Sequence, residues 1–550
     1  MAKKLLSLIL ALAMVIAMLA LVACGGEPVG TTESTSATTE STGKQGGETD
    51  PSSSETSATA SSETEGTTAS TEESTSGSGT TGPTVISSDD IDGREKHPDY
   101  QDVNFGGREF VFLTQKIDDW DCYEIKAELT GNDTILDEAI AERNSIVESK
   151  YSCKITALEG ENRAALIETD VSTGQHNYDF LLYQYTNSTA NKNYLNIANL
   201  DIDLTHDWWD QKFIDCFGLD VDGTKRLYTI SGQFNLISYD AIWGLYMNRT
   251  VYDQLRATGT ITDDIYDLIR GGNWTIDAMD KMMTEAAQDA DGNSVISYNE
   301  GKDRIGCTTY NNGCAEVGFF FGVGGRGAIR NETTGLPEAI NADNYPLYNE
   351  LQSRVQKVMS MVKGGKPENG ALYQPISGDD VTASFTNGRT LFISECLDAA
   401  TRSTDENANY TIIPFPKYNP EQEDYIHYVC VRAYGLKVSA AAAADANNIA
   451  NFLEVFAFHS KQIVYPAYVT YFTTQVFKGE ESADMFDLVL RTKTYDFDYF
   501  AGGGQKIVNL CSQYIANNKD TGYARAIVAS ANSVNETFAN YVNDLRKLTY

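Results

Sequence analysis

The chain has 550 residues, and the part from residue 99 onward is too long for one ordinary hydrophobic core and long enough for two lobes. Its formal net charge of −35 argues against nucleic acid or anionic lipid headgroups as partners, because a strongly acidic protein repels both. The charge is compatible with neutral or cationic ligands, and beyond that it concerns solubility more than function.

The N-terminal residues predict export. Two lysines are followed by an apolar run that ends at Ala20, and such a run before small residues is typical of a secretory signal peptide. The segment LVAC (21–24) resembles the lipobox of bacterial lipoproteins, which implies removal of residues 1–23 and lipidation of Cys24. We therefore expect an exported protein that is lipid-anchored to the outer face of the cytoplasmic membrane. The alternative is an ordinary secreted protein with a chance cysteine at this position.

Residues 24–98 are predicted to form the lipidated cysteine and a disordered tether rich in Ser, Thr and Glu. From residue 25 to about residue 88 there is no aromatic side chain, and the only large aliphatic residues are Val29, Val85 and Ile86. Such a segment cannot offset the entropy lost on ordering by burying apolar surface. The tether would hold the domain at 99–550 away from the membrane.

From residue 105 onward the sequence alternates between strand and helix patterns. We predict a strand at 108–115, a helix at 132–151 capped by Asp133 or Thr134, a strand at 153–158, a helix from about 161 to 173 that ends at Gly174, and a strand at 178–184. This rhythm indicates an α/β fold with a parallel sheet covered on both faces. Ligands bind beyond the carboxyl ends of such strands, which places the loops after Thr114 and Leu182 at a site.

Several segments resemble extracellular solute-binding proteins, the receptor components of ABC importers, of the carbohydrate-type family 1. The resemblance begins with AIAERNSIVESKYSCKIT followed by STGQHNYDFLLYQ. It continues in the order of the family through LYTISGQFNLISYDAIWGLYMNRTVYDQL (227–255), GNWTIDAMDKMM (272–283), SFTNGRTLFISECLDAA (384–400), YTIIPFPKY (410–418) and VCVRAYGLKVSA (429–440). Together these segments cover essentially all of residues 105–550.

The resemblance implies a two-lobed periplasmic-binding-protein-like fold with hinge crossings and a ligand cleft between the lobes. The first lobe would comprise about 105–236 and 433–478, and the second about 245–428 and 479–550. The crossing within 227–255 would run along paired extended segments. The lobes would close on a ligand, and the closed form would dock on permease subunits. No catalytic role, cofactor or metal is expected.

Sugar rings stack on aromatic side chains, and their hydroxyls need planar polar partners, so we expect both kinds of residue at the strand ends and crossings that border the cleft. The ligand-binding candidates are Asp118, Asp119, Trp120, Tyr183, Gln184, Tyr185, Tyr239, Asp240, Trp243, Glu395, Arg432 and Tyr434. Because this set holds several carboxylates and one arginine, it favours a carbohydrate over a free anion.

Three motifs have plainer interpretations. GVGGRG (322–327) matches G-x-G-x-x-G, but the loop-like residues after it favour a glycine-rich turn near a hairpin over a dinucleotide site. DADGNSVISYNE (289–300) hints at an EF-hand, yet Ser294 occupies the position that requires glycine, so we expect a polar turn. HDWWDQKF (206–213) is either a platform for stacking sugars or, as we favour, a helix that packs its two tryptophans into the first lobe.

Other functions remain open at this stage. A lipoprotein enzyme that acts on polysaccharide is one, although the sequence has neither a G-x-S-x-G nor an H-E-x-x-H motif. A sensory or scaffold lipoprotein with the same fold is another, and a receptor for peptides or amino acids is a third. Apart from Cys24 there are eight cysteines without C-x-x-C spacing, and we expect most of them to be free thiols.

Overall fold

The computed structural model describes residues 96–115, 124–126, 134–184, 191–299, 302–310, 312–363, 373–401, 409–431, 433–500, 506–517 and 522–548. All of them belong to one compact unit, Pro83–Tyr550. The predicted signal peptide, the lipidation site Cys24 and nearly all of the predicted tether lie outside the described residues. Within these ranges, no helix combines the length and the apolar character needed to cross a membrane.

The strands are β1 Arg108–Thr114, β2 Cys153–Glu159, β3 Phe180–Gln184, β4 Leu219–Val221, β5 Thr224–Arg226, β6 Trp243–Asn248, β7 Ile305–Tyr310, β8 Ala328–Arg330, β9 Pro337–Ala339, β10 Tyr373–Ile376, β11 Thr390–Cys396, β12 Tyr410–Ile413, β13 His427–Tyr428, β14 Tyr434–Val438 and β15 Lys493–Thr494.

The α-helices are α1 Ile135–Tyr151, α2 Arg163–Thr173, α3 Gln211–Phe217, α4 Ile237–Asp240, α5 Arg249–Ala257, α6 Ile265–Arg270, α7 Ile276–Ala286, α8 Cys314–Gly322, α9 Leu351–Val362, α10 Gly378–Thr386, α11 Asp398–Thr401, α12 Ala446–His459, α13 Tyr465–Tyr471, α14 Glu480–Arg491, α15 Phe497–Phe500, α16 Lys506–Ala516 and α17 Tyr523–Arg546. Short 3-10 helices cover Pro98–Tyr100, Ile197–Asn199, Tyr348–Glu350 and Ala440–Asp445, and single π-helical turns at Ser460–Val464 and Phe472–Val476 flank α13.

The first lobe is built on a four-stranded sheet with the order β14-β3-β1-β2. Strand β1 pairs in parallel with β2 and β3, whereas β14 runs antiparallel to β3. The strands and helices predicted between residues 108 and 184 are confirmed. Helix α1 begins at Ile135, because Thr134 forms a reciprocal capping box with Asp137, and α2 ends where Gly174 adopts a left-handed conformation (φ 69°).

Aromatic side chains fill the core of the first lobe. Phe452 of α12 stacks on Phe110 of β1 with ring centroids 3.9 Å apart, and it lies 5.5 Å from the ring of Phe180 in β3. Phe112 and Phe456 extend the same cluster, with ring centroids 5.4 Å apart. Because α12 lies far along the chain from β1, this core joins the N-terminal sheet to residues that follow the strands of the second sheet in sequence.

The second lobe contains a five-stranded sheet with the order β10-β7-β11-β6-β12. Strands β10, β7 and β11 are parallel, and β6 runs antiparallel to both β11 and β12. Helices α8, α9 and α16 pack together beside this sheet, and α17 packs on α16. The predicted α/β class with two lobes is confirmed, although the second sheet is mixed rather than purely parallel.

Two crossing segments run beside each other between the lobes. Ile230 and Leu436 exchange backbone hydrogen bonds of 2.9 Å next to the first sheet, and Cys430 N–H donates to the Ala241 carbonyl (2.7 Å) next to the second. The predicted pairing of the crossings is therefore confirmed. The prediction of wholly extended segments is wrong, because the short helix α4 interrupts the first one. A third crossing follows Phe477 and leads to α14, which packs against β12.

The remaining motifs take the plainer form. Residue Gly322 ends α8, and the turn after it leads into the β8–β9 hairpin, as predicted. The two tryptophans, Trp208 and Trp209, are buried in the first lobe, but they lie in the turn before α3 rather than within a helix. Among the described residues, six cysteines are not part of a disulfide bond, whereas Cys314 is disulfide-bonded; the six are Cys153, Cys216, Cys307, Cys396, Cys430 and Cys511.

Candidate functional site

The carboxyl ends of the parallel strands in both sheets lie at the crossings. Tyr434, the first residue of β14, pairs with Gln184 at the end of β3, and Trp243 at the start of β6 pairs with Cys396 at the end of β11. Val429 pairs with Ile242 next to the second sheet, and only residues 430–433 separate it from β14 of the first sheet. The two strand edges at which α/β sheets bind ligands are thus adjacent.

On the first lobe, this edge carries a cluster of four polar and aromatic side chains. Arg163, the first residue of α2, donates from Nη2 to the side-chain oxygen of Gln115 (2.6 Å), and the Tyr434 hydroxyl donates to the same oxygen. The Arg163 guanidinium carbon lies 5.3 Å from the ring centre of Tyr183 and 5.5 Å from that of Tyr434. We name these four residues, Gln115, Arg163, Tyr183 and Tyr434, the first-lobe cluster.

The sequence predicted Tyr183 and Tyr434 as ligand contacts but missed Gln115 and Arg163. Gln115 directly follows β1, and the rule of strand ends points to its position. Nothing in the sequence marks Arg163 as a candidate ligand contact, because a basic residue in the first turn of an amphipathic helix is common. The structure brings the predicted Tyr183 and Tyr434 together through these two residues. Gln184, at the end of β3, lies beside Tyr434 across the sheet.

A second buried cation lies deeper in the same lobe. Lys437 of β14 is fully buried, and its Nζ lies 4.8 Å from the ring centre of Tyr194 and has no hydrogen-bond partner. Burial lowers the pKa of Lys437 to about 7, because the charged ammonium loses its hydration. Burial also raises the pKa of the Tyr194 phenol.

On the second lobe, the strand edge holds two of the predicted residues. Trp243 is buried, donates from its indole nitrogen to Ser394 Oγ (2.6 Å) and stacks on Tyr428 with ring centroids 5.9 Å apart. Glu395, near the end of β11, is 6% exposed and accepts from the backbone N–H (2.9 Å) and the thiol (3.1 Å) of Cys396. Both residues lie close to the crossings, in well-packed positions.

Tyr239 and Asp240 of α4 are held by packing in the described structure. Asp240 accepts from the hydroxyl of Tyr468 in α13 (2.8 Å). The Tyr239 ring lies 5.2 Å from that of Tyr465 and 3.9 Å from the Nζ of Lys493, and burial raises the pKa of its phenol well above the ordinary value. These contacts explain the burial of both side chains without a ligand.

The other predicted contacts lie outside the described residues. They are Asp118, Asp119, Trp120, Tyr185 and Arg432.

A cavity of about 640 Å³ lies away from the first-lobe cluster. It is lined by residues of α3 and β8 and by the segment 491–497, and none of the predicted ligand contacts lines it. Lys493 borders this cavity and forms a buried ion pair with Asp210 (2.6 Å). The cavity is therefore a separate feature of the described structure.

The carboxylates of Asp289, Asp291 and Asp303 lie within 4.8 Å of one another. Asp289 accepts from the backbone N–H of Gly292 and Ser294, and Asp303 accepts from those of Ala290 and Ser297. These bonds build the polar turn that the sequence predicted.

No family model matches the sequence, and no curated protein matches it. Solved structures do resemble it. A cyclo/maltodextrin-binding protein complexed with maltotetraose is 12% identical with a TM-score of 0.49, and the likeness covers 79% of this chain and 97% of that one.

An ABC substrate-binding protein from Listeria monocytogenes in complex with cycloalternan is 13% identical, with a TM-score of 0.45 and coverage of 79% and 99%. A maltose-binding periplasmic protein from Listeria monocytogenes in complex with maltose is 10% identical, with a TM-score of 0.47 and coverage of 80% and 99%. Identities this low describe a likeness of fold alone. The described chain is an α/β protein of two lobes whose strand ends meet at paired crossings.

Proposed function

We propose that the chain is an extracellular substrate-binding receptor of an ABC importer that closes on a carbohydrate or oligosaccharide. The observation that carries the proposal is the meeting of the two strand edges at paired crossings, with Tyr183, Tyr434 and Arg163 on one side and Trp243 and Glu395 on the other. Two lobes joined by short crossings can rotate toward each other and enclose a ligand between them.

The side chains at this edge suit a saccharide. Aromatic rings such as Tyr183 offer apolar faces for the C–H side of a sugar, and Gln115, Arg163 and Glu395 offer planar donors and acceptors for hydroxyl groups. Binding and release of a saccharide need no proton transfer, so this proposal requires no pair of catalytic carboxylates. We therefore infer a binding protein rather than an enzyme.

The wider assignment belongs to the same proposal. We infer a signal peptide at 1–23, a lipid on Cys24 and a tether up to residue 98, which would fix the receptor to the outer face of the cytoplasmic membrane. We keep 105–236 with 433–478, and 245–428 with 479–550, as the proposed bounds of the lobes. The partner of the closed form would be the permease of the importer.

Thermal unfolding of the purified protein against a panel of oligosaccharides, peptides and polyamines tests the proposal. A ligand at 100 times its Kd adds about 2.7 kcal/mol to the free energy of unfolding, so its Tm shift is easily measured. We expect a saccharide to stabilise the protein and to be recovered intact. Stabilisation by peptides alone, cleavage of the sugar, or no shift with any compound would each contradict the proposal.

A matched pair of variants places the site. Tyr183→Ala removes a ring at the carboxyl end of β3, and we expect it to weaken saccharide binding about tenfold by loss of stacking. Tyr178→Ala removes a ring of similar exposure before the amino end of the same strand, and it should leave the Kd unchanged. Equal effects of the two variants would mean that the ligand binds elsewhere.

A further inference from the structure

Arg163 is a buried cation for which the described structure supplies no counter-charge. Arg163 is only 7% exposed, and its Nη1 has no hydrogen-bond partner. Nη2 is bonded to the neutral amide of Gln115, and the neighbouring rings of Tyr183 and Tyr434 are also neutral. Among the described residues, no carboxylate lies within ion-pair distance of Arg163.

Two other guanidinium groups of this protein, one partly buried and one buried, have carboxylate partners. Arg108 lies 2.7 Å from a carboxylate oxygen of Asp179 and 2.5 Å from one of Asp445, and Arg354 lies 2.9 Å from Glu350. Removing an arginine from water without a negative partner carries a large desolvation cost. The fully buried Arg143 donates from all three of its side-chain nitrogens to neutral oxygens of Asn144, Ser460 and Glu124, whereas Nη1 of Arg163 has no acceptor.

The start of α2 adds a second feature that favours negative charge. Asn162, which precedes the helix, makes no side-chain capping bond, and the first turn contains no acidic residue. The first amides of an α-helix carry a partial positive charge and attract anions. The nearest acids in sequence, Glu159 and Glu161, are exposed and form no ion pair with Arg163. An uncapped helix start and an unpaired guanidinium thus coincide at the strand edge.

We propose that Arg163 and the start of α2 bind a carboxylate of the ligand, so that the receptor takes an acidic saccharide of the uronate type. This inference rests on the proposed function, and it reverses the expectation that the site would repel an anion. The planar guanidinium presents donors that match the two oxygens of a carboxylate, and Nη1 is still without an acceptor. Tyr183, beside Arg163, would carry the apolar face of the same sugar ring.

The test compares each acidic sugar with its own neutral ester. The purified full-length chain is titrated by calorimetry with oligogalacturonate, oligoglucuronate and oligomannuronate, each as the free acid and as the methyl ester. Esterification removes the charge and keeps the sugar backbone. We expect at least one acid to bind, and its ester to bind about 10- to 100-fold more weakly, as the loss of a charge-assisted hydrogen bond predicts.

Variants then tie the preference to Arg163. Arg163→Met should bring the Kd of the acid to that of the ester, and Arg163→Lys should retain part of the preference. The matched control is Arg389→Met, because Arg389 also lies over a tyrosine ring, Tyr298 at 4.4 Å, and donates to neutral carbonyls in the second lobe. This control should leave both Kd values unchanged.

The outcomes separate the two proposals. If an ester or a neutral sugar binds as tightly as the acid, the acidic ligand is refuted and the saccharide receptor stands. If Arg163→Met keeps the preference for the acid, Arg163 is refuted as the group that binds the carboxylate. If a sulfated sugar binds through Arg163 and no uronate does, the carboxylate assignment is wrong. If no saccharide binds at all, the proposed function itself fails. Should Arg163→Met not fold, the acid–ester comparison on the unaltered chain and Arg163→Lys decide the matter.

Discussion

The burial of Lys437 has a clear consequence for how the stability of the protein depends on pH. Its pKa falls to about 7 in the folded protein, whereas the unfolded chain binds the proton up to the ordinary value of about 10.5. Between these two values the unfolded state holds more protons, so the stability contribution of Lys437 rises with pH across this window. Below pH 7 the ammonium is charged in both states, and its destabilising effect is fully present.

Lys437→Met should therefore stabilise the protein. We expect the free energy of unfolding to increase by roughly 2 kcal/mol or more near pH 7, and the gain to shrink toward pH 10. Denaturant unfolding at a series of pH values measures this. Lys154→Met, at an exposed position of β2, is the control and should change little. A gain for Lys437→Met that is the same at every pH would refute burial of the charge as its cause.

At the same scale, the sequence pointed to some members of the candidate site and not to others. Tyr183 became a candidate because it follows an apolar, strand-like run, and Tyr434 because its segment resembles the return crossing of the family. Arg163 was not among the candidates, because its interest depends on contacts that form only in the folded sheet. These contacts join it to the two tyrosine rings and to the Gln115 amide. Burial of Asp240 against Tyr468 likewise depends on a contact between distant segments, which no local pattern encodes.

At the scale of elements, helix α8 packs against the segment after β12 through a glycine. A Cβ added at Gly318 would overlap the ring of Phe415, which is itself fully buried. Gly318→Ala should therefore destabilise the protein by about 1–3 kcal/mol through overpacking, despite the better helix propensity of alanine. Thermal or denaturant unfolding measures the loss.

A double-mutant cycle checks the cause of that loss. Phe415→Leu makes room at the same place, so Gly318→Ala should cost less in its presence than alone. Ser360→Ala, on the exposed side of α9, is a control within a helix and should stay within about 0.5 kcal/mol of the parent. Additive effects of Gly318→Ala and Phe415→Leu would contradict direct contact between the two sites.

The elements of the first lobe were predictable from local signals. Helix α1 shows apolar residues at helical spacing after Thr134, and Gly174 ends α2 by accepting a positive φ. The helix α4 within the first crossing was not foreseen, because a short apolar stretch such as LISYD (236–240) fits a strand and a single helical turn equally well. The antiparallel place of β6 between β11 and β12 was also not predicted, since the sequence alone does not state the order of strands.

At the scale of the whole molecule, the chain passes back and forth between two sheets, and each sheet pairs strands that are not consecutive in sequence. Strand β14 completes the first sheet, although it follows all five strands of the second sheet in sequence. Phe452, which lies further along the chain, packs in the core of the first lobe. The two-lobed architecture was predicted from the order of segments that resemble one family. The side chains at the lobe edges, with a guanidinium that lacks a counter-charge, required the structure.

The central claim is that the two lobes close over a saccharide, and small-angle X-ray scattering tests it most directly. The radius of gyration of the purified protein is measured with and without a saturating concentration of the sugar that raises its Tm. We predict a smaller radius of gyration and a shorter maximum dimension with the sugar bound, because rotation about the crossings brings the lobes together. A sugar that binds and leaves both quantities unchanged would contradict closure as the basis of this receptor's action.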